Sequence, residues 1–381
     1  MLFRTTPRIV MGAGCVSTVG AEARQLGVRR VLVVTDRGLV EAGLLERLET
    51  SLKRARVGFS VFDGVEPDPR HEIVDRCREA LQAAKARAVI GLGGGSSIDI
   101  AKMAAVMAVN PGQAADYFGV DTIPRPGLPT IMVPTTAGTG SEVTSIVILS
   151  DEGEKLKKGV VSPYLMPAAA VLDPELTLGL PPAVTAATGM DALIHAIEAY
   201  TSVNATGLTD LLAARAMELI GEHIRAAWAR GSNLAARSAM LEGSLLAGMA
   251  FANAGVTAVH AFAYPIGAEF HIPHGLANAI MLPPVMAFNM PGDLDRFARV
   301  AELLGEETAG LSARQAAEAG VEAVRQLGRD LELPQSLGEF GVKKKDVPGL
   351  AKGVMKVTRL LANNPRTLTE AQARDIYMQA L

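Results

Sequence analysis

Apolar positions fall into two regimes along the chain. Through the first part, short β-rich runs alternate with segments of helical period. Residues 31–35 (VLVVT) form a continuous apolar run, as a strand covered on both faces does, and 43–54 then repeat apolar positions at helical spacing. The same alternation predicts a strand over 57–62, a helix over 71–85, and a strand from 88 leading into a glycine cluster. A helix over 98–109 and a strand over 130–134 follow. Strand and helix in regular turn imply a Rossmann-like α/β fold with a mostly parallel sheet.

From residue 176 onward the period changes. Ala- and Leu-rich segments over 182–202, 208–230, 235–252, 294–304, 312–327 and 369–381 have helical spacing, and no convincing strand interrupts them. The pattern predicts an α/β domain over 1–175 and an all-α domain over 176–381, with the cleft between two such domains as the default active site. Solenoid repeats and low-complexity segments are absent from the sequence.

Composition adds exclusions. The chain has 381 residues, 49% hydrophobic and 20% charged, enough to bury two cores. A net charge of -3 gives no electrostatic reason to expect nucleic acid or an anionic membrane as partner. Cys15 and Cys77 show no pairing pattern, which suggests buried structural roles in a reducing compartment. The N-terminal MLFRTTPRIVMG has no long apolar core or small-residue cleavage site, so no signal peptide is expected. The most apolar stretches, 101–109 and 244–251, are too short or mixed to span a bilayer, and a cytoplasmic protein is expected.

Candidate chemistry begins with GLGGGSSIDIAK at 91–102, placed after a strand and at the start of a helix. Backbone N–H groups there can face a pyrophosphate. The usual dinucleotide fingerprint is missed, because Ser96 stands where Gly or Ala is expected. The plainer reading of such a turn is a capped strand-to-helix connection. TTAGTGSEVT at 135–144 also follows a strand, and its small hydroxylated residues suit phosphate and ribose oxygens. Two such turns in one α/β domain favour a nucleotide. Asp36, at the end of VLVVT, suits the two ribose hydroxyls and would repel a 2′-phosphate, favouring NAD over NADP; as a bare residue it is equally a helix cap.

The six histidines are His71, His195, His223, His260, His271 and His274. Asp191 and His195 are i and i+4 in TGMDALIHAIEAY, so they share one helical face, otherwise apolar. Burying that pair without a partner is costly, and a metal ion resolves the cost. His260 and His274 could complete a set of one carboxylate and three imidazoles, suited to a divalent transition metal. Pro273 and Gly275 suggest a fixed turn aiming His274. His71 and His223 read as solvated or capping residues.

Together GGGSSIDIAK, PTTAGTGSEVT, TGMDALIHAIEAY and HIPHGLANAI, in this order, closely resemble the iron-containing (group III) alcohol dehydrogenase family. The resemblance runs from Thr35–Asp36 to the NPR at 364–366. It implies a dehydroquinate synthase-like architecture, an NAD-binding α/β domain followed by a helical metal-binding domain. It assigns the metal, Fe2+ by the family name with Zn2+ as alternative, to Asp191, His195, His260 and His274. It places Asp36, Gly94, Gly95, Ser96, Asp99, Thr135, Thr136, Thr139 and Lys157 beside NAD, and Ile146, Phe251 and Leu360 toward the substrate. Three apolar residues there imply a small primary alcohol and its aldehyde. A homodimer or larger homo-oligomer is also implied.

Two departures touch the proton path and the cofactor. Four residues after His260 the family commonly has a second histidine, often proposed as a proton relay; here stands Tyr264, while His271 precedes His274 by three residues. Either becomes the candidate acid–base residue. Near the adenine the usual PNP reads PDP, with Asp68 at its centre. The rival readings are a maleylacetate-reductase-like enzyme working on an acidic substrate without metal, and a nucleotide-binding sensor without turnover. The complete ligand set argues against the first, and intact cofactor turns argue against the second.

Overall fold

The computed structural model describes residues 2–151, 153 and 156–381. Its strands are β1 (Ile9–Met11), β2 (Arg30–Val34), β3 (Gly58–Phe62), β4 (Ala88–Gly93), β5 (Gly119–Val120), β6 (Thr130–Pro134), β7 (Ile146–Asp151), β8 (Leu156–Val161) and β9 (Ala169–Leu172). The chain divides into two compact units, one of which is Arg4–Gly179. The second includes Leu180–Leu381.

In the first unit a six-stranded sheet runs in the order β1-β9-β6-β4-β2-β3 with every neighbouring pair parallel. Every residue of β4 and β6 is buried, as strands covered by helices on both faces must be. Apolar clusters form on both sides of it, one around Leu32, Val89 and Met103, the other around Val31, Ile90 and Leu48. From β2 the chain steps outward to β3 on one side and then crosses to β4 on the other. Strand order therefore reverses between β2 and β4, and ligands of such sheets bind beyond the carboxyl ends at that point.

Several elements lay outside the sequence pattern. β1 and β9 are only three and four residues long, and AAVL suits helix as well as strand. β7 and β8 pair antiparallel in a separate three-stranded sheet with β5, and β8 (LKKGVV) carries charge where a core strand would not. The helix after the glycine cluster is Gly95–Met107, starting earlier than its apolar period because Gly94 caps it and small residues fill its first turn.

The second unit is helical throughout its described elements. Pro182–Thr201 is its central helix; Pro182 sits in the first turn, where its missing N–H costs nothing. Small residues Ala186, Gly189, Ala192, Ala196 and Ala199 are buried along it, allowing Gly207–Ala229, Leu234–Ala254 and His274–Asn289 to pack closely. Ala258–Phe270 and His274–Asn289 escaped the sequence reading as helices. They contain Pro265 and Pro283–Pro284, which interrupt the hydrogen-bond ladder and disguise the period. Among the described residues no single helix is long and apolar enough to cross a membrane.

Candidate active site

Asp191 and His195 stand one turn apart on Pro182–Thr201, and His260 comes from the first turn of Ala258–Phe270. One ligand atom from each lies within 4.8 Å of the other two, and all three residues are buried. His195 is stacked between two rings, 4.3 Å from Phe251 and 4.7 Å from His260, which fixes its plane. His274 opens the helix His274–Asn289 and is the most open of the four, with 29% of its side chain exposed. Its Nε2 lies 3.9 Å from Asp191 Oδ1. Gly275 makes this approach possible: a Cβ there would stand 2.4 Å from the Ala187 carbonyl oxygen on the Asp191 helix.

Buried partners surround the cluster. Asn278 donates from Nδ2 to Asp191 Oδ1 at 2.8 Å and lies 3.1 Å from His274 Nε2. Burial works to raise the Asp191 carboxyl, but the neighbouring His195, His274 and His260 and the Asn278 bond hold it below the ordinary range. Glu198 meets His260 Nδ1 at 2.5 Å. His260 Nε2, on the other side of the ring, is buried with no hydrogen-bond partner and lies 3.7 Å from Asp191 Oδ1. An orphaned polar atom of this kind costs about 1–3 kcal/mol. A divalent cation satisfies it, and two or three imidazoles with a carboxylate suit such an ion. The residues present therefore fit a metal.

Glu198 was missed by the sequence reading, which took the Asp191–His195 face as otherwise apolar. Residues 191, 195 and 198 are spaced i, i+4 and i+7, so the third polar residue lies on the same stripe. That spacing was the available signal.

In the first unit the cofactor candidates gather at strand ends. Asp36 follows β2, Gly94 and Gly95 follow β4, and the 135–144 turn follows β6; these three strands are neighbours in the sheet. The first N–H groups of Gly95–Met107 have no intrahelical acceptor and point outward from the turn. Gly95 is required by its neighbour, since a Cβ would stand 2.8 Å from Thr139 Cγ2. Ser96, Thr136 and Thr139 are half-buried, whereas Thr135 is buried and donates its N–H to the Gly93 carbonyl. Asp36 caps the short helix Arg37–Glu41, accepting the Leu39 N–H at 3.1 Å on Oδ1. Asp68, in left-handed backbone at φ 48, accepts from Lys157 Nζ at 2.6 Å, so these two candidates form a pair.

Asp99 points inward. Its Oδ1 accepts from Ser141 Oγ at 2.5 Å and its Oδ2 from the Ile148 N–H at 2.8 Å. Beside it Lys102 is fully buried, and its ammonium donates to both oxygens of Ser141, both oxygens of Thr144 and the Ile146 carbonyl. Burial pushes this lysine down to about 8, opposed by Asp99 and Glu142. Burial likewise lifts the Glu142 carboxyl to about 7, against a bond from its own backbone and the pull of Lys102. The lysine at the end of GGGSSIDIAK thus ties the helix to the threonine-rich turn.

The remaining candidates scatter in role. Tyr264 is buried with its ring 6.1 Å from that of His274, whereas His271 is exposed in left-handed backbone at φ 54 where Ala258–Phe270 ends. Leu360 is fully buried in the short helix Thr358–Leu361, and Ile146 opens β7 half-buried. His71 makes no side-chain cap to its helix and packs edge-on against Phe118. His223 is partly exposed beside Glu222. Cys15 and Cys77 are free, and burial raises both thiols, Cys15 to about 12, so neither is poised as a thiolate.

Residues 6–174 match the family described as iron-containing alcohol dehydrogenase, and residues 185–381 match Fe-containing alcohol dehydrogenase family, C-terminal. Long-chain-alcohol dehydrogenase 1 of Geobacillus thermodenitrificans is 43% identical over 373 residues, covering 97% of this chain and 94% of the relative. The NAD-dependent methanol dehydrogenase of Bacillus methanolicus is 38% identical over 379 residues, covering 100% and 99%. The chain belongs to the iron-containing alcohol dehydrogenase family. It also superposes on a crystal structure of 1,3-propanediol oxidoreductase with a TM-score of 0.97 at 39% identity, covering 100% of this chain and 99% of that one. Membership makes the chain an oxidoreductase of the alcohol dehydrogenase type, and the buried triad Asp191, His195 and His260 is its metal-binding candidate.

Proposed function

We propose that this chain is a NAD-dependent dehydrogenase of small primary alcohols, its metal held by Asp191, His195, His260 and His274. The observation that carries the reading is the buried triad with one imidazole nitrogen, His260 Nε2, left unpartnered. A cation held there would supply Lewis acidity toward a substrate hydroxyl, and NAD bound at the strand ends would supply the hydride acceptor.

The chain's own residues divide the remaining work. Gly94, Gly95 and Ser96 offer backbone donors to the pyrophosphate at the helix start, and Thr136 and Thr139 offer hydroxyls. Asp36 has its Oδ1 in a cap and its charge beyond β2, which suits a ribose diol and repels a 2′-phosphate. The Asp68–Lys157 pair belongs to the adenine side. Asp99 acts from beneath, holding Ser141 and β7 in place. Phe251, stacked on His195, gives the metal candidates an apolar neighbour suited to a small unbranched alcohol, and the apolar character of Leu360 and Ile146 is in keeping with such a substrate. Buried Tyr264, close to His274, is better placed than exposed His271 to pass the hydroxyl proton outward. The names of the relatives support an alcohol or aldehyde as the small-molecule partner. The assembly is expected to be a homodimer or larger, read by light scattering.

The test is a panel of primary alcohols with NAD and NADP, run on metal-stripped enzyme and after reconstitution with ferrous iron, zinc or nickel. NADH production that disappears on stripping and returns with metal is the expected result. Turnover that survives stripping favours a metal-free reductase of acidic substrates, and an absence of turnover with every alcohol favours a sensor. Glycerol preferred over simple primary alcohols would overturn the apolar-substrate part.

A further inference from the structure

We propose that Glu198 is a positioning residue that sets the tautomer of His260 and so creates its metal-binding face; this rests on the metal-dependent reading above. Glu198 is 1% exposed, and three donors converge on it. Its Oε1 accepts from Thr257 Oγ1 at 2.7 Å and from the Val259 N–H at 2.7 Å, and its Oε2 faces His260 Nδ1 at 2.5 Å. A carboxylate has only acceptors to offer. His260 must therefore carry a proton on Nδ1, which leaves the lone pair of its neutral ring on Nε2. That nitrogen is the buried, unpartnered atom that faces Asp191. Metal-binding histidines are commonly oriented by a carboxylate on their second nitrogen, and losing that carboxylate typically costs 10- to 100-fold in metal affinity.

The geometry also says what an amide does in its place. The Val259 N–H is a backbone donor and cannot turn, so in Glu198→Gln the amide oxygen must stay with Val259 and Thr257. The amide NH2 then faces His260 Nδ1 as a donor. Nδ1 becomes the acceptor, the ring proton moves to Nε2, and the metal face is blocked. Almost no volume changes, so packing is kept.

The experiment is competition for Zn2+ and Co2+ between the purified protein and a chromogenic chelator, with the Co2+ visible spectrum recorded alongside. Glu198→Gln is expected to weaken binding by about 10- to 100-fold and to change the Co2+ spectrum, with thermal melting little altered. In a His260→Ala background the same substitution should add almost nothing, because the residue acts through that ring. Equal affinities of wild type and Glu198→Gln, or an equal loss in the His260→Ala background, overturn this inference alone. A wild type that binds neither ion overturns it together with the proposed function. Ring-15N NMR of the metal-free wild type in mildly alkaline solution reads the tautomer without any variant: Nδ1–H on His260 is expected, and Nε2–H overturns the proposal.

Discussion

Each unit buries a cluster of charged and polar side chains, and the two clusters finish differently. In Arg4–Gly179 the Lys102 ammonium has five oxygen acceptors, and both oxygens of Asp99 are engaged. Its one loose end is Glu142 Oε1, on a carboxyl that burial drives toward its neutral form. In Leu180–Leu381 the network around Asp191, Glu198 and Asn278 leaves two buried atoms without a hydrogen-bond partner, Asn278 Oδ1 and the imidazole nitrogen His260 Nε2. Burying ions costs several kcal/mol each unless every donor and acceptor is used. The loose end of the first cluster lies on a carboxyl that can take up a proton, whereas that of the second is an imidazole nitrogen set among other candidate metal ligands, an arrangement that a cation would satisfy. The ligands follow the same division. Backbone N–H groups at strand ends form the candidate nucleotide site, whereas side chains from two helices form the candidate metal triad.

Substitutions in each unit test whether the two clusters act independently. The largest effect is expected from His195→Ala: metal content, read by elemental analysis, and turnover should both fall by more than the roughly 100-fold typical of outer contacts, with NADH binding kept. Gly95→Val places a side chain against Thr139, so KM for NAD should rise by about 10-fold or more, equivalent to at least about 1.4 kcal/mol, with metal content unchanged. Loss of metal in that variant would show that the two sites are not independent. Tyr264→Phe should lower kcat and flatten one limb of its pH profile, by up to about 100-fold if it carries general acid–base catalysis, whereas His271→Ala should leave the profile intact. The reverse pattern transfers the role to His271.

The smallest effect tests the cluster around Lys102 and Glu142. The folded-state pKa of Glu142, about 7, lies above its ordinary 4.5. Its contribution to stability is therefore fully present below pH 4.5 and is lost as pH rises through about 7. Glu142→Gln should remove that slope, so that its melting temperature falls less than that of the wild type between pH 5 and pH 8. Parallel curves would show that the carboxyl is satisfied some other way.

Much of this was legible beforehand because periodicity and motif agreed. The run VLVVT, the strand at 130–134 and the helix carrying Asp191 and His195 all recur in the structure, the strands as buried runs and the helix through its many buried small and apolar positions. The prolines of Ala258–Phe270 and His274–Asn289 hid the two helices that carry His260 and His274, because sequence period cannot show which broken ladders neighbours repair. Glu198 was overlooked since the face of Asp191 and His195 reads as otherwise apolar until its partners at 257, 259 and 260 fold over it. Lys102 was hidden for the same reason: its five acceptors lie some forty residues away in sequence.

The separation of the metal candidates along the chain has a topological consequence. Asp191 and His195 lie far in sequence from His260 and His274, with two long helices, Gly207–Ala229 and Leu234–Ala254, between them. An ion shared by these residues acts as a reversible cross-link around that loop, absent from any partly opened state. At a free concentration a thousand times its dissociation constant it would add about 4 kcal/mol to the energy of opening. Amide hydrogens along Ala258–Phe270 should then exchange more slowly as metal is added, reporting on the clasp rather than on the chemistry.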